Sequence, residues 1–450
     1  MSKRRRRKEA PGEPIRATVT GITHDGRGVS RINEKTVFIE GALPGEEVTF
    51  LPLETHRSYD LGVVQVVHVA SPERVEPRCA HFGVCGGCVL QHMRPEHQII
   101  TKQHVLLENF ARIGKVTPEE ILPPLTGAHW GYRRKARLGV RFVIKKDKLL
   151  VGFRERHKPY LADLSRCEVL HPSVGEHLEE LAQLVHSLKA YDRIAQIEVA
   201  VDDTQTALVF RNLDPLDESD KNKLITYAQA NDMRFFLQPG GPETVTPLWP
   251  ERIDLVYRLE KYNVDFHFLP TDFTQVNADI NRKMVDRALE MMELQPDERV
   301  LDLFCGLGNF TLPLARTVRE VVGVEGSSEL VKRAQENAVH NGLANVHFHA
   351  ADLTGELEKA PWWQGGFDKV LLDPPRTGAM ETLSHIAELG VGRIVYVSCD
   401  PATLARDAGI LVNQHGYRLE KAGVMDMFPH TAHVESIALF TRNKRKNGTS

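Results

Sequence analysis

From about residue 271 to the carboxyl terminus, short apolar β-type runs alternate with helix-type segments. No other feature of the chain constrains its fold as strongly. The runs are Val300–Leu303, Glu320–Val324, Val346–His349, Lys369–Leu372, Arg393–Val397 and Glu435–Leu439. Repeated β-α-β alternation predicts an α/β class with a parallel-dominated, doubly wound sheet and helices on its faces. Such sheets place their sites outside the carboxyl ends of the strands. The residues that end these runs are therefore the first candidates for chemistry.

Those residues are Asp302, Glu325, Asp352, Asp373 and Cys399, with Glu435 where the last run begins. Leu301-Asp302-Leu303-Phe304-Cys305-Gly306-Leu307-Gly308-Asn309-Phe310 sets an acid at a strand end before a Gly-x-Gly that opens a helix. Glycine lets a ligand approach the backbone there, although ordinary tight turns use the same pair. Glu325 follows about twenty residues later, where a carboxylate suits ribose hydroxyls. Asp352 ends the third run and is placed to accept from an adenine amine. A dinucleotide fingerprint would need a third glycine, but Thr311 stands there. Asp, Glu and Asp on three successive strand ends resemble the S-adenosylmethionine-dependent methyltransferase fold, which implies a Rossmann-like carboxyl-terminal domain.

Asp373-Pro374-Pro375-Arg376 is similar to the turn with which methyltransferases of planar nitrogens hold their target, but arginine replaces the aromatic residue. Cys399 lies in Val397-Ser398-Cys399-Asp400-Pro401, a loop between a strand and a helix start. A lone cysteine is by default a small buried apolar group; its place on the cofactor half argues instead for a nucleophile, with Glu435 as a base. Methylation of a pyrimidine carbon requires this pair, because C5 of uracil is too weak a nucleophile alone. Thiolate addition at C6 makes C5 an enolate carbon; a base then removes the C5 proton and the thiolate departs.

The amino-terminal half reads differently. Residues ~12–70 are short alternating strands with Gly and Pro turns, the pattern of a small barrel. His24-Asp25-Gly26-Arg27-Gly28-Val29 and Gly41-Ala42-Leu43-Pro44-Gly45-Glu46 resemble the TRAM domain, an OB-like RNA-binding module. Cys79-x5-Cys85-x2-Cys88, with Cys167 further on, supplies four thiolates. Four cysteines suit either tetrahedral zinc or a cubane, and a single Cys-x2-Cys pair with a wider gap favours [4Fe–4S]. Residues 71–270 mix strands and helices as a central α+β domain, with a helix read over Pro215–Ala230 and Asp214 as its N-cap. Between Trp130 and Tyr160, eleven Lys and Arg face Asp147 and Glu155, with aromatic residues interleaved. Cations among stacking rings suit single-stranded nucleic acid. Arg133, Arg134 and Lys135 are the first candidates for phosphate contacts. Lys3–Lys8 adds an unbroken basic tail.

Six cysteines in 450 residues are too sparse for a disulfide scaffold and point to a reducing compartment. Without an apolar run of spanning length or a secretory h-region, the expected setting is the cytoplasm, with no membrane partner. The expected organisation is a tail (1–11), a TRAM domain (12–70), a central domain (71–270) and a methyltransferase domain (271–450).

Taken together, these segments and Phe273-Thr274-Gln275-Val276-Asn277 resemble the bacterial 23S ribosomal RNA (uracil-C5)-methyltransferases that carry a TRAM domain and an iron–sulfur cluster. The resemblance implies that Cys399 is the nucleophile and Glu435 the base. It also implies that Gln275, Phe304, Asn309, Glu325, Asp352 and Asp373 contact cofactor or target, and that Cys79, Cys85, Cys88 and Cys167 hold [4Fe–4S]. S-adenosylmethionine is the implied cofactor and a flipped-out uracil of 23S ribosomal RNA the target, with the protein a monomer. Asp400 stands where the family often has Asn. A transfer-RNA uracil methyltransferase is the nearest alternative, and a non-catalytic RNA-binding or ribosome-assembly factor the alternative of another class.

Overall fold

The computed structural model describes residues 12–355 and 357–442 and divides the chain into two compact units. The basic tail lies outside the described residues. The first unit comprises residues up to Lys102 with Glu155–Lys158 and Pro429–His433; the second holds the rest. Among the described residues no helix is long and apolar enough to cross a membrane.

In the first unit six strands form one sheet, in the order Ile15–Thr18, Glu47–Thr55, Tyr59–Val69, Lys35–Glu40, Gly28–Ile32, Gly21–Ile22. Alternate side chains turn inward as the pleat requires, so that Ala17, Val37, Ile39, Val48 and Phe50 form the core. Ser30 Oγ donates to Thr18 O at 2.8 Å, joining strands that are not neighbours in the sheet and curling it. Buried Glu46 pins the exit: its carboxylate accepts from Leu43 N–H at 2.8 Å, Ser71 N–H at 3.2 Å and the Arg74 guanidinium at 2.7 Å. Burial alone would raise its pKa, but the Arg74 and backbone hydrogen bonds leave it below the usual carboxylate range.

The second unit contains two large sheets. One runs Thr246–Trp249, Met233–Leu237, Thr206–Asn212, Ile194–Val201, Lys135–Val143, Lys148–Gly152. Helix Glu218–Ala230 packs on it and starts later than the sequence suggests. Asp217, not Asp214, caps it by accepting from Asp220 N–H at 2.9 Å, because Asp214 is held by Arg193. The other sheet has eight strands, in the order Val346–Ala350, Glu320–Glu325, Arg299–Leu303, Lys369–Leu372, Arg393–Ser398, Glu435–Thr441, Arg418–Met425, Glu120–Ile121. The first five are parallel, and Glu435–Thr441 inserts antiparallel beside Arg393–Ser398. The chain leaves Arg299–Leu303 toward one side and returns to Lys369–Leu372 on the other, so the topological switch point lies between these two strands.

The two outermost strands, Arg418–Met425 and Glu120–Ile121, have no counterpart among the apolar runs. Arg418-Leu-Glu-Lys carries charge at three of its first four positions, and the ladder there is shifted between Leu419 and Lys421. Pairing with the apolar Glu435–Thr441 strand holds this segment extended, overriding a weak local pattern.

Candidate active site

Every strand at the switch point delivers an acidic residue or a thiol to one end of the sheet. Asp302 is the penultimate residue of Arg299–Leu303, Glu325 ends Glu320–Glu325, Asp373 follows Lys369–Leu372, and Cys399 follows Arg393–Ser398. Glu435 begins the strand that pairs with Arg393–Ser398, and the register sets Ser436 opposite Ser398. Extended by one residue, that register places Glu435 alongside Cys399.

The glycine-rich loop after Leu303 turns through Phe304, whose φ of 64° is left-handed, and through Gly306 and Gly308. A Cβ on Gly308 would press on Phe348 at 3.2 Å and Leu312 at 3.3 Å, whereas one on Gly306 would meet nothing within 4 Å. Gly306 thus leaves bare backbone facing open space, as a cofactor cradle requires. Glu325 ties the loop to the next strand, accepting from Gly306 N–H at 3.2 Å and from Ser327 N–H at 3.0 Å. Asp302 is fully buried: Thr311 donates to one carboxyl oxygen at 2.5 Å, and the other has no partner among the described residues. Burial pushes Asp302 up to about 8, aided by the charges of Asp373 and Glu325 and opposed by the Thr311 hydroxyl. Asp373 keeps some exposed surface as a residue, but its carboxyl is enclosed, and burial pushes it up to about 7.

Cys399 is half-buried. Burial and the Glu435 and Asp373 carboxylates push its thiol up to about 11, against the opposing charge of Arg376. Asp400 caps helix Pro401–Asn413, accepting from Ala402 N–H at 2.9 Å and Thr403 N–H at 3.1 Å. Ser398 Oγ donates to Asp400 O at 3.0 Å, and Ser436 Oγ donates to Ser398 O at 3.3 Å. These bonds fix the backbone on both sides of the thiol. Cys305, by contrast, is buried, and that burial pushes its thiol far up.

The remaining candidates have these surroundings. The Asn309 amide is engaged by protein: it donates to Asn281 Oδ1 at 2.9 Å and accepts from Asn281 Nδ2 and the Tyr257 hydroxyl, both at 3.1 Å. Gln275 lines a small cleft with Tyr257, Phe268 and Asn281. Asp352 is exposed and folded back on Thr354, whose N–H and hydroxyl donate at 2.9 and 2.7 Å and lower its pKa. Tyr257 and Asn281, which brace the loop, were not singled out from the sequence. Only their contact with Asn309 reveals them.

In the first unit, the loop bearing Cys79, Cys85 and Cys88 turns tightly, with Phe82 N–H donating to Cys79 O and Cys85 N–H to His81 O, both at 3.0 Å. Gly87 N–H donates to Cys85 Sγ at 3.4 Å, and Cys79 is close enough for its charge to raise the Cys85 pKa, whose main cause is burial. Cys167 belongs to the second unit, where its N–H donates to Gly175 O at 2.8 Å. Among the described residues no group of three or more His, Cys, Asp or Glu is gathered as for a metal ion.

Arg133, Arg134 and Lys135 are engaged within the protein, contrary to a free phosphate-binding role. Arg134 pairs with Asp203 at 2.7 Å; Lys135 is bound to Pro270 O and, at 3.3 Å, to Glu198; Arg133 donates to Lys135 O at 3.0 Å. Arg133 and Arg134 precede the strand, and Lys135 lies on the same face as Arg137 and Arg141; the latter two are exposed, with Arg137 also 3.7 Å from Glu198.

A family model described as tRNA (uracil-5-)-methyltransferase matches residues 204–443, more than half of the chain, and a TRAM domain model matches residues 8–51. The chain is 56% identical over 440 residues to the 23S rRNA (uracil(1939)-C(5))-methyltransferase RlmD of Alkalilimnicola ehrlichii, with 97% of this chain and 99% of that one covered. It is 54% identical over 447 residues to the protein of the same name from Nitrosococcus oceani, covering 99% and 100%. In fold it matches the crystal structure of Pyrococcus abyssi tRNA (uracil-54, C5)-methyltransferase with S-adenosyl-L-homocysteine. The TM-score is 0.74 at 23% identity, over 96% of this chain and 100% of that one.

The electrostatics of the thiol are directly measurable. Iodoacetamide labelling of the tryptic peptide Ile394–Arg406, whose single cysteine is Cys399, should rise with pH to a midpoint well above the ~8.5 of an ordinary thiol. Glu435→Gln, which removes one neighbouring anion, should lower that midpoint. An ordinary midpoint that is unmoved by the substitution would contradict the charge arrangement.

Proposed function

Since the chain belongs to the tRNA (uracil-5-)-methyltransferase family, we propose that it methylates C5 of a uracil in 23S ribosomal RNA, with Cys399 as nucleophile and Glu435 as base. The observation that carries this reading is the placement of the two side chains on paired strands, side by side at the switch-point end of the sheet. The names of relatives that match nearly end to end support ribosomal RNA, and uracil 1939 in particular, as the substrate. The enzyme acts in the cytoplasm as a monomer.

S-adenosylmethionine supplies the methyl group when bound. The glycine loop fits it, because Gly306 offers uncovered backbone beside Glu325; Glu325, Phe304 and Asp352 would hold its ribose and adenine, and Gln275 and Asp373 would contact the target. Asn309 serves by bracing that loop through Asn281. The target uracil leaves its stack to reach the thiol. The Cys399 thiol gives its proton to water, and Sγ bonds C6 as the C5=C6 pair becomes an enolate. Once C5 carries the methyl group, Glu435 accepts the C5 proton. The electron pair re-forms C5=C6, the C6–S bond breaks and the thiolate departs. Pinning the backbone on both sides of Cys399 keeps sulfur and C6 aligned through this sequence.

Cys79, Cys85, Cys88 and Cys167 would hold [4Fe–4S]. The donor set fits, with the Gly87 N–H on Cys85 Sγ of the kind that supports a thiolate ligand. Four cysteine thiolates would supply a complete ligand set for such a cluster. Arg137 and Arg141 on the outer face of Lys135–Val143, continued by Lys145 and Lys146 beside Ile144, which is 84% exposed, form the RNA-facing surface.

Cys399→Ala should abolish methyl transfer, whereas Glu435→Gln should accumulate an RNA–protein adduct stable on a denaturing gel, because proton removal precedes release. Normal turnover by either variant would overturn the assignment. Arg137→Gln with Arg141→Gln should reduce the slope of log affinity against log salt by roughly 1–2, read by filter binding to a 23S fragment. An unchanged slope would place the RNA path elsewhere.

A further inference from the structure

Arg376 is a cation whose charge favours the Cys399 thiolate. Among the described residues it has no hydrogen-bond or ion-pair partner of its own, so its position depends on the backbone of the loop between Asp373 and Ala379. Asp373 N–H donates to Leu303 O at 3.4 Å at the start of that loop, and its far end is held by Tyr396 and by helix Pro401–Asn413. Asp407, fully buried on helix Pro401–Asn413, accepts from Ala379 N–H at 2.8 Å and from the Tyr396 hydroxyl at 2.6 Å. Its other oxygen accepts from Arg406 Nε at 2.8 Å, and Arg406 Nη2 donates to Thr377 O, also at 2.8 Å. Neighbouring helical side chains normally diverge; here Arg406 and Asp407 converge around the loop. Gly378, with φ 80°, fits beneath them so closely that a Cβ would fall 2.5 Å from Arg406 Nη2 and 2.6 Å from Asp407 Oδ2.

We propose that Asp407 is a positioning residue: with Tyr396 and Arg406 it clamps the Asp373–Ala379 loop to the helix that follows Cys399, and so holds Arg376 within electrostatic range of the thiol. The charged groups around the thiol are Glu435, Asp373 and Arg376; those around Asp407 are Arg406 and the Tyr396 hydroxyl. The helix that carries the clamp begins two residues after Cys399, so nucleophile and cation share one anchor. The inference rests on the reading of Cys399 as the attacking atom.

The sign of the effect separates positioning from direct electrostatics. Removing an anion near a thiol favours the thiolate and speeds its alkylation, whereas releasing Arg376 slows it. Asp407→Asn should therefore slow iodoacetamide labelling of Cys399 at pH 8.5 by about three- to tenfold, the equivalent of roughly half to one pKa unit. Arg376→Gln should slow it in the same direction, and the double variant should be no slower than Arg376→Gln alone, because both changes act through one group. Tyr396→Phe, which removes the hydroxyl's two bonds (to Asp407 and from Ala379 N–H) but leaves Asp407 on Ala379 and Arg406 on Thr377, should slow it less and decides the matter if Asp407→Asn does not fold, as judged by circular dichroism. Faster or unchanged labelling in a folded clamp variant, or additive slowing in the double variant, would overturn the proposal. The assay uses the full-length protein with neither RNA nor methyl donor. Its failure is therefore distinct from a failure of the methyl-transfer reading, which Cys399→Ala tests.

Discussion

Negative charge is crowded at one end of a parallel sheet, and the site depends on that crowding. Asp302, Glu325, Asp373 and Glu435 come from four strands whose other positions are almost wholly apolar. Desolvation holds Asp302 and Asp373 far above the ordinary carboxylate range, and Cys399 rises with them. Burial beside these carboxyl groups disfavours the thiolate form of Cys399.

The same crowding makes the neighbouring loops matter. A thiol raised by two carboxylates is sensitive to any nearby cation, and Arg376 is carried on a loop with little hold of its own. The Asp407 clamp therefore links helix packing to sulfur reactivity. On the cofactor side, Asn281 and Tyr257 play an analogous part by gripping Asn309 in the glycine loop. In both places a buried polar group fully engaged by protein sets the position of a group that must remain available.

Much of this was legible in the sequence, because chemistry in an open α/β sheet collects at strand ends and strands are marked by apolar runs. Asp302, Glu325, Asp373 and Cys399 could be placed this way, and the pairing of Arg393–Ser398 with Glu435–Thr441 brought Glu435 to Cys399. What escaped was set by tertiary context. Arg418–Met425 is a strand because its partner makes it one. Asn309 is a brace because Asn281, 28 residues earlier, reaches its amide. Arg134 and Lys135 look identical to Arg137 in composition, and only the tertiary positions of Asp203 and Pro270, which engage the first two, distinguish them from the exposed Arg137. Four cysteines can be read from spacing as candidate ligands, but whether they converge cannot.

The central claim is that Cys399 bonds covalently to a pyrimidine C6. A 23S ribosomal RNA fragment carrying 5-fluorouridine at the target position tests it most directly, because fluorine at C5 cannot be removed as a proton and the intermediate cannot collapse. In the presence of S-adenosylmethionine, mass spectrometry of the digested complex should find the nucleotide attached to the peptide Ile394–Arg406 through Cys399. Absence of an adduct, or its attachment at Cys305 or another residue, would contradict the account.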